Sequence, residues 1–157
     1  MQFVQVKYPD VKLVKQFIAD AGTSLASFRY FQTRPMEIIK EHLCTFLLLD
    51  EEQPVAYGHL DVSDEATIAE NCGSEEKITP TEKTFWLGIA VSQKHQGKGL
   101  GLMMMNQLIS CAKQNKITQI KLAVDNDNTP AIKLYGKLGF KLTEKKEVFG
   151  FYILTLS

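Results

Sequence analysis

The chain has 157 residues, 45% of them hydrophobic, with 18 Lys plus Arg against 18 Asp plus Glu. That length and apolar content suit a single domain over 1–157 with one core, and they exclude wholesale disorder. A formal net charge of zero lacks the broad basic surface that phosphate-backbone binding requires, so no nucleic-acid partner is expected.

Cys44, Cys72 and Cys111 are odd in number and include no CxxC pair. This argues against a disulfide framework or a metal site and fits a reducing compartment. The N-terminal MQFVQVKYPDVK has no apolar signal region, and the run Phe46–Leu49 is far too short to span a bilayer. A cytoplasmic protein without a membrane partner is expected.

In chain order, Phe3, Val4 and Val6 predict a short strand ending at Tyr8-Pro9. Val11, Val14, Phe17 and Ile18 recur at helical spacing and predict a helix over Pro9–Ala21, ended by Gly22. SFRYFQ (27–32) fits either class. Pro35 opens a helix over Met36–His42. Thr45–Leu49 and Pro54–Val62 are strand-like, with a hairpin turn at Asp50–Gln53. Residues 63–83 read as a polar, irregular loop. From Asp61 to Glu82 seven acids face one base, Lys77, which suits a solvated surface. Thr84–Val91 (TFWLGIAV) is nearly all apolar, as a central strand covered on both faces would be. Gly99–Lys113 is a helix with Leu102, Met105, Leu108, Ile109 and Ala112 on one side, and Met103–Met105 read as core filling. Ile117–Val124 is a strand. Thr129–Leu138 is a helix with Thr129 as N-cap, Pro130 at its first position and Gly139 as C-cap. Phe140–Lys145 and Val148–Leu156 close the chain as a strand pair. The mixture gives an α/β (α+β) class with a mostly antiparallel sheet.

The segment VSQKHQGKGLG (91–101) joins the apolar strand to an amphipathic helix and carries Gly97, Gly99 and Gly101. Glycine lets a ligand approach the backbone closely. A helix N-terminus has free N–H groups and partial positive charge, so this junction makes an anion cradle. The dinucleotide pattern GxGxxG fails at Leu102 from Gly97 and at Met104 from Gly99. The Walker pattern fails because Gly97-Lys98 is followed by Gly99.

What remains, Gln96-Gly97-Lys98-Gly99-Leu100-Gly101 after a strand ending in Ile-Ala-Val, resembles the [QR]xxGx[GA] acetyl-CoA signature of the GNAT acetyltransferases. Downstream, VDNDNTPAIKLYGKLGF (124–140) is similar to a second segment of that family, matching at Asn128, Ala131, Tyr135, Gly139 and Phe140. The clear resemblance covers residues 84–141. It implies a GNAT fold with a twisted, mostly antiparallel sheet of six or seven strands and about four helices. It also implies direct transfer of an acetyl group from acetyl-CoA to a primary amine of a small molecule or peptide. A homodimer is a common assembly in that family.

Residue by residue, the resemblance assigns the pyrophosphate to backbone N–H groups of Gln96, Gly97, Lys98, Gly99, Leu100, Gly101 and Leu102. It assigns the pantetheine arm to the backbone of Ile89, Ala90 and Val91, which it pairs like another strand. Asn128 would bond to the cofactor arm, with Ala131 and Ile132 nearby. Tyr135 would protonate the departing thiolate, since a phenol near pKa 10 can donate to a thiolate near 8.5. The alternative for Tyr135 is a buried aromatic whose hydroxyl caps a backbone group.

An ammonium must lose a proton before it attacks. The family's strand glutamate falls near Phe85, so the base is sought among Glu82, Asp61 and His59; His59 and Asp61 share one face of the strand YGHLDV. Phe28, Arg29, Tyr30, Phe31 and Arg34 fall where the family walls its acceptor pocket, and could recognise a carboxylate, sugar or phosphate. The acidic stretch would instead suit a cationic acceptor. Two rival readings stay open: a non-catalytic acyl-CoA-binding module, which would not need Tyr135, and a nucleotide-binding domain using the same glycine loop.

Overall fold

The computed structural model describes the backbone of all 157 residues and every side chain except those of Ser24 and Ser27. Seven strands form one sheet: β1 (Gln2–Gln5), β2 (Cys44–Asp50), β3 (Gln53–Ser63), β4 (Thr84–Val91), β5 (Gln119–Asp125), β6 (Lys141–Lys145) and β7 (Phe149–Thr155). Their spatial order is β1-β2-β3-β4-β5-β7-β6. Every pairing is antiparallel except β4 with β5. Four α-helices accompany them: α1 (Lys12–Asp20), α2 (Glu65–Asn71), α3 (Leu100–Gln114) and α4 (Thr129–Lys137).

Neighbouring side chains on a strand point to opposite faces, and β2 uses this to feed two cores. Leu48 packs with Leu87, Met104, Leu108 and Ile120 against α3, whereas Leu47 packs with Val14, Phe17, Tyr57 and Ala90 against α1. Each fully buried Leu or Phe contributes about 1.5–3 kcal/mol, so both faces hold the sheet in place. A third cluster joins Trp86, Phe149 and Phe151 to Ala69 of α2.

Several local expectations are corrected. α1 starts at Lys12 rather than Pro9, because the N–H groups of Asp10 and Val11 turn back to the carbonyls of Lys7 and Pro9. The segment expected as a helix over Met36–His42 is a 3-10 helix, Met36–Glu41, in which Ile38 N–H bonds the Pro35 carbonyl. SFRYFQ lies in two more short 3-10 turns, Gly22–Ser27 and Tyr30–Gln32. The polar stretch read as irregular contains α2. Asp64 caps this helix by accepting the Thr67 N–H at 2.9 Å. Its apolar stripe is only Ile68, Ala69 and Cys72, too narrow for periodicity to reveal. On α3 the inward stripe runs Leu100, Met104, Leu108 at a spacing of four. Leu102 and Met103, expected inside, are therefore 42% and 40% exposed, while Met104 is fully buried.

Candidate active site

β3 pairs with β4 at successive positions from Ala56↔Val91 to Ser63↔Thr84, but β4 meets β5 only at Trp86↔Lys121. Beyond Trp86 the parallel ladder stops, and Leu87–Val91 keep a main-chain edge with no paired strand on that side. This edge ends on the glycine loop. Ser92 N–H anchors the loop to the Val55 carbonyl. Gly97 and Gly99 have φ of +77° and +78°, a left-handed conformation that costs other residues about 1–2 kcal/mol. The first internal bond of α3 runs from Met103 N–H to the Gly99 carbonyl at 3.1 Å. Among the described residues, no backbone hydrogen bond uses the N–H groups of residues 96–102. A Cβ built on Gly97 or Gly99 meets nothing within 4 Å, so the loop is open around these two glycines. Free donors at a positive helix end suit a diphosphate.

At α4 the cap differs from expectation. Asn128, not Thr129, is the N-cap; its Oδ1 accepts the Ala131 N–H at 3.4 Å. Its Nδ2 keeps its donors. Gly139, at φ +97°, follows the capping residue Leu138. Tyr135 lies in the core on the α3 face with Leu87, Leu100 and Phe140. Its hydroxyl has no hydrogen-bond partner among the described residues and caps no backbone group. Burial pushes its pKa up to about 12, so the phenol stays protonated at neutral pH.

On the α1 face, β3 sends Tyr57, His59 and Asp61 to one side, as their alternation requires. Tyr30 Oη donates to Asp61 Oδ2 at 2.6 Å. Its single proton being used there, its oxygen accepts from His42 Nε2–H, 2.7 Å away. Burial, then His59, pushes the His42 pKa down to about 3. The ring is thus neutral, and its Nδ1 accepts from Thr45 Oγ1 at 2.7 Å. Donors from Thr45, His42 and Tyr30 therefore all point one way and end on Asp61. Asp61 Oδ1, also buried, has no partner among the described residues. Burial raises the Asp61 pKa; the Tyr30 hydrogen bond, His42 and Arg34 oppose the rise.

His59 is held by Tyr57 Oη, 2.7 Å from its Nδ1, and by stacking on His42 at 4.4 Å. Burial and then Arg34 push its pKa down to about 3, which makes it a poor proton acceptor beside Asp61. A Cβ on Gly88 would lie 2.5 Å from His59 Cε1, so only glycine at this β4 position admits the imidazole. His42, His59 and Asp61 bring ligand-type atoms within 4.8 Å of one another, though Tyr30 already links two of them.

A cleft opens over these groups, walled by Phe28, Tyr30, Arg34, Trp86 and Gly88 among others. Arg29 ties its walls together, donating to the carbonyls of Ala26 and Cys72 and to Asp125 Oδ1. Of the acidic stretch only Asp61 enters the cleft; Glu65 pairs with Lys121 at 3.1 Å, and Glu82 is exposed. Asp61 and Tyr135 thus occupy opposite faces of the sheet on either side of the unpaired β4 edge. A larger cavity beside Tyr8, Ile39 and Lys40 shares no residue with this cleft. Sequence reasoning missed His42 and Thr45, which belong to no local motif.

The profile of the Acetyltransferase (GNAT) family matches residues 14–140. The chain belongs to this family. It is 40% identical over 52 residues to YobR, an N-acetyltransferase of Bacillus subtilis, covering 33% of this chain and 21% of YobR. It is 36% identical over 56 residues to the L-amino acid N-acetyltransferase AaaT of Escherichia coli, covering 35% of each. The matched segments thus span well under half of either relative. Among solved structures, yncA of Salmonella typhimurium with its cofactor acetyl-CoA superposes with a TM-score of 0.70 at 16% identity, covering 100% of this chain and 94% of that one. This last likeness is one of fold.

Proposed function

We propose that this protein is an acetyl-CoA-dependent N-acetyltransferase, moving an acetyl group directly to the primary amine of a small molecule or peptide. One observation carries the reading: an unpaired strand edge runs into free N–H groups, with an unpartnered carboxylate oxygen on one face and an unpartnered phenol on the other. A binding module without turnover would need neither unpartnered group. Residues 1–157 act as one domain, and a cytoplasmic setting suits free thiols at all three cysteines. No helix among the described residues is long and apolar enough to cross a membrane.

Bound acetyl-CoA supplies a thioester carbonyl as electrophile and a thiolate as leaving group. The N–H groups of residues 96–102 hold its diphosphate, and the main chain of Ile89, Ala90 and Val91 holds its extended arm. Asn128 Nδ2 reaches toward the same arm, alongside Ala131. Asp61 Oδ1 takes the proton that the acceptor ammonium loses, while its Oδ2 is fixed by the Tyr30–His42–Thr45 chain. His59 stays neutral and shapes the floor of the cleft. As the nitrogen bonds to the carbonyl carbon and the C–S bond breaks, Tyr135 donates its proton to the departing sulfur, and the second proton shed by the nitrogen restores the phenol. Thiol release measured with acetyl-CoA across amino acids, polyamines, amino sugars and peptide N-termini tests the reading. Turnover with at least one class is expected; coenzyme A binding with no turnover on any amine would overturn it.

A further inference from the structure

Arg34 is the cleft's uncommitted cation. Its Nη1 donates to the Tyr30 carbonyl at 3.3 Å, and its guanidinium carbon lies 4.2 Å over the Tyr30 ring. Among the described residues it meets no carboxylate. The other cleft arginine, Arg29, donates to three backbone carbonyls and pairs with Asp125. Asp61 Oδ1 is the uncommitted anion of the same cleft. Tyr30 fixes both: its ring carries Arg34 and its hydroxyl carries Asp61. A cation that meets no carboxylate and a carboxylate oxygen without a partner among the described residues are therefore both held by one residue, Tyr30, and a ligand of matching polarity bridges them. Phe28, Ile68, Trp86 and Ala123 add apolar wall to the cleft, beside the polar Asn71 and the Arg29–Asp125 pair.

The geometry points to a free α-amino acid with an apolar side chain as the acceptor, its carboxylate held by Arg34 and its amine presented to Asp61. This rests on the acetyl-transfer reading. A planar guanidinium fork matches a carboxylate with two parallel bonds. An amine lacking that carboxylate leaves Arg34 unused, and a polyamine would set a second cation against it. Arg34 acts as a specificity-determining residue and takes no part in moving the proton.

The test titrates the protein, saturated with coenzyme A, with leucine and phenylalanine and with their carboxamides, following heat. The native protein is expected to bind each acid at least tenfold more tightly than its amide, after correction for the amine's own ionisation. Arg34→Gln is expected to weaken acid binding about tenfold or more and to leave amide binding within about threefold. Arg34→Lys should fall between, keeping charge but losing the fork. Acid and amide share Asp61, so the change in their ratio between proteins cancels any effect of Arg34 on that carboxylate. An unchanged coenzyme A affinity in Arg34→Gln reports an intact fold. Equal binding of acid and amide by the native protein, or equal weakening of both by Arg34→Gln, overturns the assignment. Carboxylate-dependent binding without thiol release on any acceptor would leave this assignment standing and count against the transfer reading.

Discussion

On the cofactor side of β4 the working groups are main-chain N–H groups from one contiguous stretch, residues 96–102. On the acceptor side they are side chains brought together from distant places: Tyr30 from a short 3-10 turn, His42 from the end of the 3-10 helix before β2, Thr45 from β2, Asp61 from β3. A site made of backbone tolerates changes of side chain and is sensitive to changes of torsion. A site made of side chains behaves the other way, since each member holds the next by a hydrogen bond.

The largest expected effect falls on the acceptor side. Asp61→Asn should lower kcat about 10²–10³-fold in a thiol-release assay, with coenzyme A affinity by calorimetry unchanged. A weakened coenzyme A affinity would break the separation of the two sides. Tyr135→Phe should lower kcat about 10²-fold. Because its hydroxyl makes no hydrogen bond among the described residues, the variant should melt within about 1 °C of the parent.

The pH dependence sharpens the same contrast. Burial holds folded Asp61 above its ordinary 3.8, so kcat/KM should rise with pH through that raised value as the carboxylate forms. Tyr30→Phe removes a hydrogen bond that lowers the Asp61 pKa, and should move this limb to higher pH. Since the folded pKa is raised, the protonated carboxyl favours the fold. That contribution is complete below 3.8 and is lost as pH rises through the folded value. At neutral pH, Asp61→Asn should therefore raise Tm, by about 2–4 °C.

The smallest effects belong to the loop. Gly99→Ala, at φ +78° with open space around it, should cost about 1 kcal/mol of stability through torsion alone and weaken coenzyme A severalfold. Lys98→Ala, an exposed side chain, should change that affinity by about twofold at most. A larger loss would mean that the side chain, not the backbone, does the holding.

The loop was readable because every determinant is local: Gly97 and Gly99 permit the torsions, and the helix after them aligns the donors. The same holds for the strands, whose apolar runs were placed to within a few residues. Asp61 and His59 were readable as a pair from alternation on one strand, but not which of them is the base. Only packing buried His59 against Gly88 and Tyr57 while leaving one oxygen of Asp61 unpartnered. The helix α2 escaped because a narrow stripe in an acidic stretch carries little periodic signal.

The sequence by itself determined the fold class, the two motifs and the anion cradle, because torsion, periodicity and helix polarity act over a few neighbouring residues. The tertiary structure alone decided where β4 and β5 part, that the donors from Thr45, His42 and Tyr30 converge on Asp61, and that Arg34, held on the Tyr30 ring, meets no carboxylate among the described residues. Those facts depend on hydrogen bonds between residues far apart in the chain, and such pairings exist only once the sheet has brought them together.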